Sequence, residues 1–346
     1  MRLLRREHHH VGWISERRKC RVLGRYSPSV TRAGDNRHFR LVRLGTGVHA
    51  ALANRDGFSL SNSGIVDLGG ATVVFDSMLT PMAGAALARA AERCTGRAPA
   101  WVVNSHWHGD HIWGNSAFVD GHVVSTRRVR EVVVRKSRRQ FDACRREFPK
   151  ELAKLRAPES PLDPDEVREL RGWFRGVLAT PRSHRIVPPE VTFTDELILE
   201  GSRRSLHLIS YGGGHSPSDV FGYLPDERVL FTGDLALVGY HLSLGDGWPE
   251  EWIRILARMR RLRVDQLLPG HGAVGTAKAL DVGHQYLREV TGIVRRAIAR
   301  ETPLRELART PIPAKYRDWS FPSMFPGNLA RTYRLASARS GPRSAA

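Results

Sequence analysis

Cysteine is scarce in this chain. Cys20, Cys94 and Cys144 are spread over 346 positions, an odd and widely spaced set that argues against a disulfide scaffold and suits a reducing, cytoplasmic compartment. Long apolar runs are missing too: no stretch reaches the roughly 18 apolar residues of a membrane span. The first twenty residues are charged and carry histidines but no apolar core, so a cleavable secretory leader is not expected. No Gly-x-Ser-x-Gly elbow is present to support a serine hydrolase, and no repeat with a fixed solenoid period is visible. Lysine is rare beside arginine, a skew that a GC-rich genome produces as readily as a basic partner does.

Basic charge and core material are what the chain has in quantity. The formal net charge is +19 and 41% of residues are hydrophobic, ample for a large domain core. The positive excess lies in residues 1–40, 121–185 and 305–346, whereas 41–120 and 186–304 are slightly acidic. A basic surface can steer anions or nucleic acid, but here it is appended to the segments that carry the chemistry.

Residues 1–38 lack a sustained period and read as a basic, disordered extension in which His8, His9 and His10 are solvated. A domain is expected over 39–304. It begins with strand-like runs at Phe39–Leu44 and Val48–Leu52, then a hairpin over Ile65–Leu68 and Ala71–Phe75, closed by Asp76. A helix is expected from Pro81 to Cys94. Residues from about 125 to 185 break the pattern: Val129, Val132, Val133, Phe141, Cys144 and Phe148 recur at helical steps, and Asp163-Pro164 opens a second helix through Trp173 and Phe174. This reads as a helical insertion. Strands then resume at 191–193, 197–199, 206–209, 220–224 and 229–231, with helices over Pro249–Leu262 and Thr276–Arg300 around a short strand at 266–268. Residues 305–346 read as a C-terminal tail.

The run Asn104-Ser-His-Trp-His-Gly-Asp-His-Ile-Trp-Gly-Asn115 follows the apolar strand Ala100–Val103. Imidazoles and a carboxylate packed into so short a loop are good ligands for zinc and similar divalent ions. Three later spots repeat one design, an apolar strand ending in a glycine-flanked ligand: His215 in Gly212-Gly-Gly-His-Ser, Asp234 in Thr232-Gly-Asp, and His271 in Pro269-Gly-His-Gly272. Glycine permits tight turns and close backbone approach, so ligands from separate loops can converge.

Together these motifs resemble the metallo-β-lactamase superfamily across roughly residues 40–300. The resemblance implies an α/β (α+β) protein, an αββα sandwich with a two-metal site at one edge. By that resemblance His106, His108 and His215 hold one ion, Asp110, His111 and His271 hold the other, and Asp234 bridges. Asp76 resembles the family's buried aspartate behind the metal loop, although a strand cap explains it equally well. The commonest zinc β-lactamases place Cys where Asp234 stands and lack the counterpart of His111. The resemblance is therefore to the glyoxalase II, lactonase and esterase branch.

The expected activity is hydrolysis of a small ester, thioester or lactone by a metal-bridging hydroxide, with Asp110 orienting it. Two divalent ions are expected as cofactors, zinc first, with iron or manganese as alternatives. The insertion is expected to cover the cleft, its basic charge favouring an anionic small-molecule substrate; Trp107, Trp113, Trp173, Tyr240 and His241 are the pocket candidates, with Phe174 as a further apolar wall. Alternatives are a phosphodiesterase or ribonuclease, favoured by the basic segments and by His108-Gly-Asp-His111, a β-lactamase, and a non-hydrolytic di-iron protein. Nucleic acid is not the expected partner, and no membrane is.

Overall fold

A computed structural model describes residues 36–155 and 162–340. Cys20, the histidines at 8–10 and the expected extension up to residue 35 lie outside the described residues. In chain order the elements are β1 (Phe39–Gly45), β2 (Val48–Ala53), β3 (Ser63–Asp67), β4 (Thr72–Phe75), α1 (Pro81–Thr95), β5 (Pro99–Val103), α2 (Gly109–Ile112) and β6 (His122–Thr126). The inserted helices follow as α3 (Arg127–Val132), α4 (Arg138–Lys154) and α5 (Pro164–Ala179). The second half comprises β7 (Val191–Phe193), β8 (Glu196–Glu200), β9 (Ser205–Ile209), β10 (Phe221–Leu224), β11 (Val229–Phe231), α6 (Pro249–Met259), β12 (Gln266–Leu268), α7 (Lys278–Ala299), α8 (Leu304–Leu307) and α9 (Met324–Ser340).

Two sheets form. One has the order β1-β2-β3-β4-β5-β6-β7, antiparallel up to β4 and parallel from β4 to β7; the other has the order β12-β11-β10-β9-β8, with β11 and β12 parallel. Strand β4 explains the layering. Its residues are all buried, and the side-chain period of two sends Val73 and Phe75 into the core between the sheets and Val74 into the core under α1. Phe75 stacks on Phe231 from the other sheet at 5.6 Å between ring centroids. Helices α6, α7 and α9 cover the outer face of the second sheet around the buried Trp252 and Tyr286. The result is the αββα sandwich, with helices on both outer faces.

The helical insertion has its own core. Phe148 lies 4.4 Å from Phe174 and 5.3 Å from Trp173 between ring centroids, joined by Trp107, Trp113 and Phe141. Asp163 caps α5 by accepting from the Asp165 amide at 2.8 Å, with Pro164 in the first turn. A π-helical turn over 133–137 joins α3 to α4.

The C-terminal segment differs from the expected tail. Helix α9 packs on α7, burying Phe325 and Leu329, and the Asn328 side chain bonds Leu244 N at 2.9 Å, Leu242 O at 2.6 Å and the Tyr286 hydroxyl at 2.9 Å. Those buried bonds make α9 part of the main domain. Among the described residues, no helix is long and apolar enough to cross a membrane.

Candidate metal centre

Strand ends on one rim of the sandwich deliver the polar residues. Asp76 follows β4, the His106–His111 loop follows β5, His215 follows β9, Asp234 follows β11 and His271 follows β12. The loops cross so closely that glycine is required. A Cβ on Gly270 would sit 2.0 Å from Asp234 Oδ1, and one on Gly114 would sit 1.9 Å from the Ser77 carbonyl oxygen.

The structure brings all seven residues together as two sets that could each hold a metal ion, His106, His108, His215 and Asp234 in one, Asp110, His111 and His271 in the other. In the first, His106 Nε2 and His215 Nε2 each lie 3.0 Å from His108 Nδ1, and Asp234 Oδ2 lies 3.4 Å from His215 Nε2. In the second, Asp110 Oδ2 lies 3.3 Å from His111 Nε2 and 3.2 Å from His271 Nε2. Asp234 Oδ1 faces that set, 3.3 Å from His111 Nε2 and 3.5 Å from His271 Nε2. One Asp234 oxygen thus faces each set.

Outer partners fix which imidazole nitrogens are free. Asp76 Oδ2 accepts from His111 Nδ1 at 2.8 Å and from Ser105 Oγ at 2.8 Å, while Oδ1 accepts from the Ser105 amide at 2.7 Å. Because the Ser105 hydroxyl donates to Asp76, it accepts from His106 Nδ1 at 2.9 Å. The Ser243 carbonyl accepts from His215 Nδ1 at 3.1 Å, and Asp246 Oδ2 accepts from His108 Nε2 at 3.2 Å. With these partners His106, His108 and His215, as neutral rings, turn an unprotonated nitrogen inward. Burial opposes charge on His111, but Asp110, Asp234 and Asp76 outweigh it and hold that ring well above the usual histidine range, so a metal ion at its Nε2 would take the place of a proton.

This geometry fits a cation. Three lone pairs converge at 3.0 Å in the first set with no proton between them. His111 Nε2 and Asp234 Oδ1 are buried without a hydrogen-bond partner, a costly condition unless something positive sits between them. The local field agrees. Burial and neighbouring imidazoles hold His106 well below the usual histidine range, and burial takes His215 down to about 4 despite Asp234, so both are neutral. Burial also opposes charge on His271, but Asp234 and Asp110 outweigh it and push that ring up to about 9.

Asp219, four residues past His215, shapes its loop. It accepts from the amides of Gly214 at 2.7 Å, His215 at 2.9 Å and Ser216 at 3.1 Å. Ser216 and Ser218 stay in the turn: Ser216 Oγ donates to the Ser218 carbonyl, and Ser218 Oγ bonds Thr126.

A cavity of about 240 Å³ opens onto both sets, and Asp110, His108, His215, Asp234 and His271 all reach it. Of the expected pocket residues, Trp113, Trp173, Tyr240 and His241 line it. His241 has no ring nitrogen to offer it, since both bond elsewhere, to the Tyr286 hydroxyl and the Tyr316 carbonyl. Trp107 and Phe174 do not line it: both are buried in the core of the insertion, with the Lys136 ammonium over the Trp107 ring. The insertion does reach the cleft, through Gln140, Cys144, Glu169 and Trp173. Its positive charge does not, for no Lys or Arg lines the cavity among the described residues. Arg138 instead donates to the carbonyls of His184 and Arg182, each at 2.8 Å, and Arg145 to those of Val177 at 2.8 Å and Leu178 at 3.1 Å.

The two sheets, their covering helices and this rim of histidines and aspartates define a metallohydrolase scaffold. The chain belongs to the metallo-β-lactamase superfamily, whose model matches residues 56–271. Members of that family are metal-dependent hydrolases. A linear primary-alkylsulfatase from Pseudomonas sp. is 26% identical over 210 residues, covering 57% of this chain and 38% of that protein. A type 2 metallo-β-lactamase from Bacteroides fragilis is 27% identical over 108 residues, covering 29% of this chain and 43% of that one. The chain thus spans less than half the length of either relative. Among solved structures, a stereoselective inverting sec-alkylsulfatase from Pseudomonas sp. superposes with a TM-score of 0.65 at 17% identity, covering 86% of this chain and 50% of that one. A metallo-β-lactamase from Pontibacter korlensis superposes at 0.55 and 17% identity, covering 72% and 99%.

Proposed function

We propose that this protein is a two-metal hydrolase of small esters, thioesters or lactones. The observation that carries the reading is Asp234, with one carboxylate oxygen turned to each set of ligand atoms. In this reading His106, His108 and His215 hold one ion, Asp110, His111 and His271 hold the second, Asp234 joins them, and zinc is the expected metal. When bound, such ions polarise a substrate oxygen and bring the pKa of water down to about 7.

The chain's own residues do the rest. Asp76 and Asp246 keep His111 and His108 in the ligating tautomer. Asp110, on the cleft wall, orients an attacking water. Burial opposes its charge, but His111 and His271 outweigh it and hold its carboxyl well below the usual carboxylate range, so it acts as an acceptor of hydrogen bonds rather than of the proton. Leu79, Leu237 and Trp173 line the same cavity and exclude bulk water from the reacting centre. A second reading, hydrolysis of alkyl sulfates, is favoured by the likeness to two alkylsulfatases. With no Lys or Arg on the wall, a sulfate here would depend on the ions for its counter-charge.

Metal quantification coupled to a panel of thioesters, lactones, alkyl sulfates, phosphodiesters and β-lactams tests both. The expected result is two equivalents of metal per chain, turnover of a carbonyl ester class, and loss of that turnover in His106→Ala. Sulfate-ester turnover alone would favour the second reading, and bound iron with redox activity would overturn both.

A further inference from the structure

The aromatic wall beside the ligand sets has a composition of its own. Trp113, Trp173, Tyr240 and Phe321 put four aromatic rings on a cavity of about 240 Å³. Glu169, carried in by α5, is 5% exposed and lines the same cavity. Its Oε2 accepts from the Tyr240 hydroxyl at 2.8 Å. The Tyr240 ring stacks on Phe321 at 5.9 Å between centroids and lies 5.9 Å from the His271 ring. The carboxylate is thus tied to the aromatic wall beside the second ligand set.

A buried carboxylate is costly unless its oxygens are satisfied, and an ionised one offers about four acceptor positions. Tyr240 supplies one donor. Burial opposes charge on Glu169, and His271 and the Asp165-paired Arg55, which shares the adjoining cavity with Glu169 and Tyr240, favour it without hydrogen-bonding it. Glu166 adds negative charge one turn away on α5, with Oε2 buried and unpartnered. Aromatic faces with a carboxylate, on a wall without Lys or Arg, form the chemistry that recognises an ammonium group.

We propose that the cleft selects a substrate carrying a positively charged amine, held by Glu169 and the surrounding rings while its scissile bond faces the ligand sets. This rests on the hydrolase reading above and adds the substrate class. A carboxylate placed at the same point would meet Glu169 as a like charge inside a low-dielectric wall.

The test uses p-nitrophenyl esters of linear acids of matched length that end in an amine, a methyl group or a carboxylate. The metal-loaded full chain is expected to favour the amine over the methyl ester by about tenfold in kcat/KM, and the carboxylate ester is expected to be worst. In Glu169→Gln the preference collapses to within about twofold, whereas Tyr240→Phe, which keeps the carboxylate, retains it. Calorimetric titration with hexylammonium, hexanol and hexanoate provides a readout that needs no turnover. Hexylammonium is expected to bind tightest to the wild type, and its advantage to vanish in Glu169→Gln. If all esters are hydrolysed without preference, the hydrolase reading stands and the amine selectivity falls. If none is hydrolysed, the simple-ester part of the hydrolase reading fails and the titration alone decides the cation site. Equal binding of hexylammonium and hexanol to the wild type overturns the proposal, even if Glu169→Gln proves unable to fold.

Discussion

Asp76→Asn isolates the hydrogen bonds behind the ligand rings. Asp76 sits at φ 62, a left-handed conformation that Asn also adopts readily, so the backbone is not the variable. The side-chain exchange is. Asp76 Oδ2 accepts two bonds, from His111 Nδ1 and Ser105 Oγ. An amide nitrogen in that place would face two donors. His111 would have to move its proton to Nε2, the atom aimed at the second set. Ser105 would turn its hydroxyl proton toward His106 Nδ1 and drive that ring's proton to Nε2 as well. Flipping the amide only transfers the clash to the Ser105 amide, which donates to Oδ1 at 2.7 Å. Losing an outer partner of a ligating histidine costs roughly 10–100-fold in metal affinity. Two inverted rings are therefore expected to weaken binding by about 100-fold or more, about 2.8 kcal/mol by the usual conversion. Chelator-competition titration measures this directly, with thermal unfolding of metal-free wild type and variant as the control for folding. If Asp76→Asn binds two equivalents within threefold of wild-type affinity, the tautomer argument is wrong.

Other perturbations separate the same machinery by mechanism. Gly270→Ala is expected to displace Asp234, because the new Cβ would lie 2.0 Å from its Oδ1; metal stoichiometry after dialysis should fall from two toward one or none. Asp246→Ala removes the acceptor for His108 Nε2 at the half-exposed edge of the site, so metal affinity should drop by about tenfold while stability changes by less than about 1 kcal/mol, read by chelator competition and urea titration. Stability should also fall in mild acid. Burial holds His38 and His184 down to about 4, with neighbouring arginines adding to the effect. Their folded values are below the unfolded 6.5, so the unfolded chain takes up protons first, and stability is lost as pH falls from about 6.5 to about 4. Each ring accounts for at most about 3 kcal/mol, and a pH series of urea unfolding on His184→Gln should show a shallower loss.

How far the sequence could be read follows from how locally each feature is encoded. His106 to His111 share one loop, and His215, Asp234 and His271 each follow a strand beside glycine, so spacing and flanks suffice to find them. Asp246 stands 138 residues from the His108 ring it fixes, and nothing around it marks the connection. Glu169 looks like one of many charges on an amphipathic helix; only the packing of α5 over the cleft turns it inward. Asp219 was closer to legible, since a carboxylate shortly after a glycine run is suited to collecting the amides that such a turn exposes. Helix α9 was missed because a few buried contacts, Phe325, Leu329 and Asn328, hold an otherwise arginine-rich segment.

Composition alone does not say where the basic charge acts. The insertion is basic, and a basic lid suggests an anionic substrate. Arginine, however, carries five donors in a rigid fork, and this protein uses several of them on backbone carbonyls. Arg145 gathers Val177, Leu178 and Thr180, Arg138 gathers Arg182 and His184, and Arg130 takes Pro189. These carbonyls lie at the end of α5 and in the 181–190 connection to β7, where helix and strand bonding stop. The positive charge holds the inserted helices to one another and to the connection into β7, while the wall that the insertion turns toward the ligands carries Glu169. Neutralising Arg145 should therefore loosen the insertion, seen as faster amide exchange across 177–180, without shifting the selectivity between amine- and carboxylate-bearing esters. Neutralising Glu169 should do the reverse. A shift in ester selectivity on neutralising Arg145 would mean that the basic charge reaches the cleft after all.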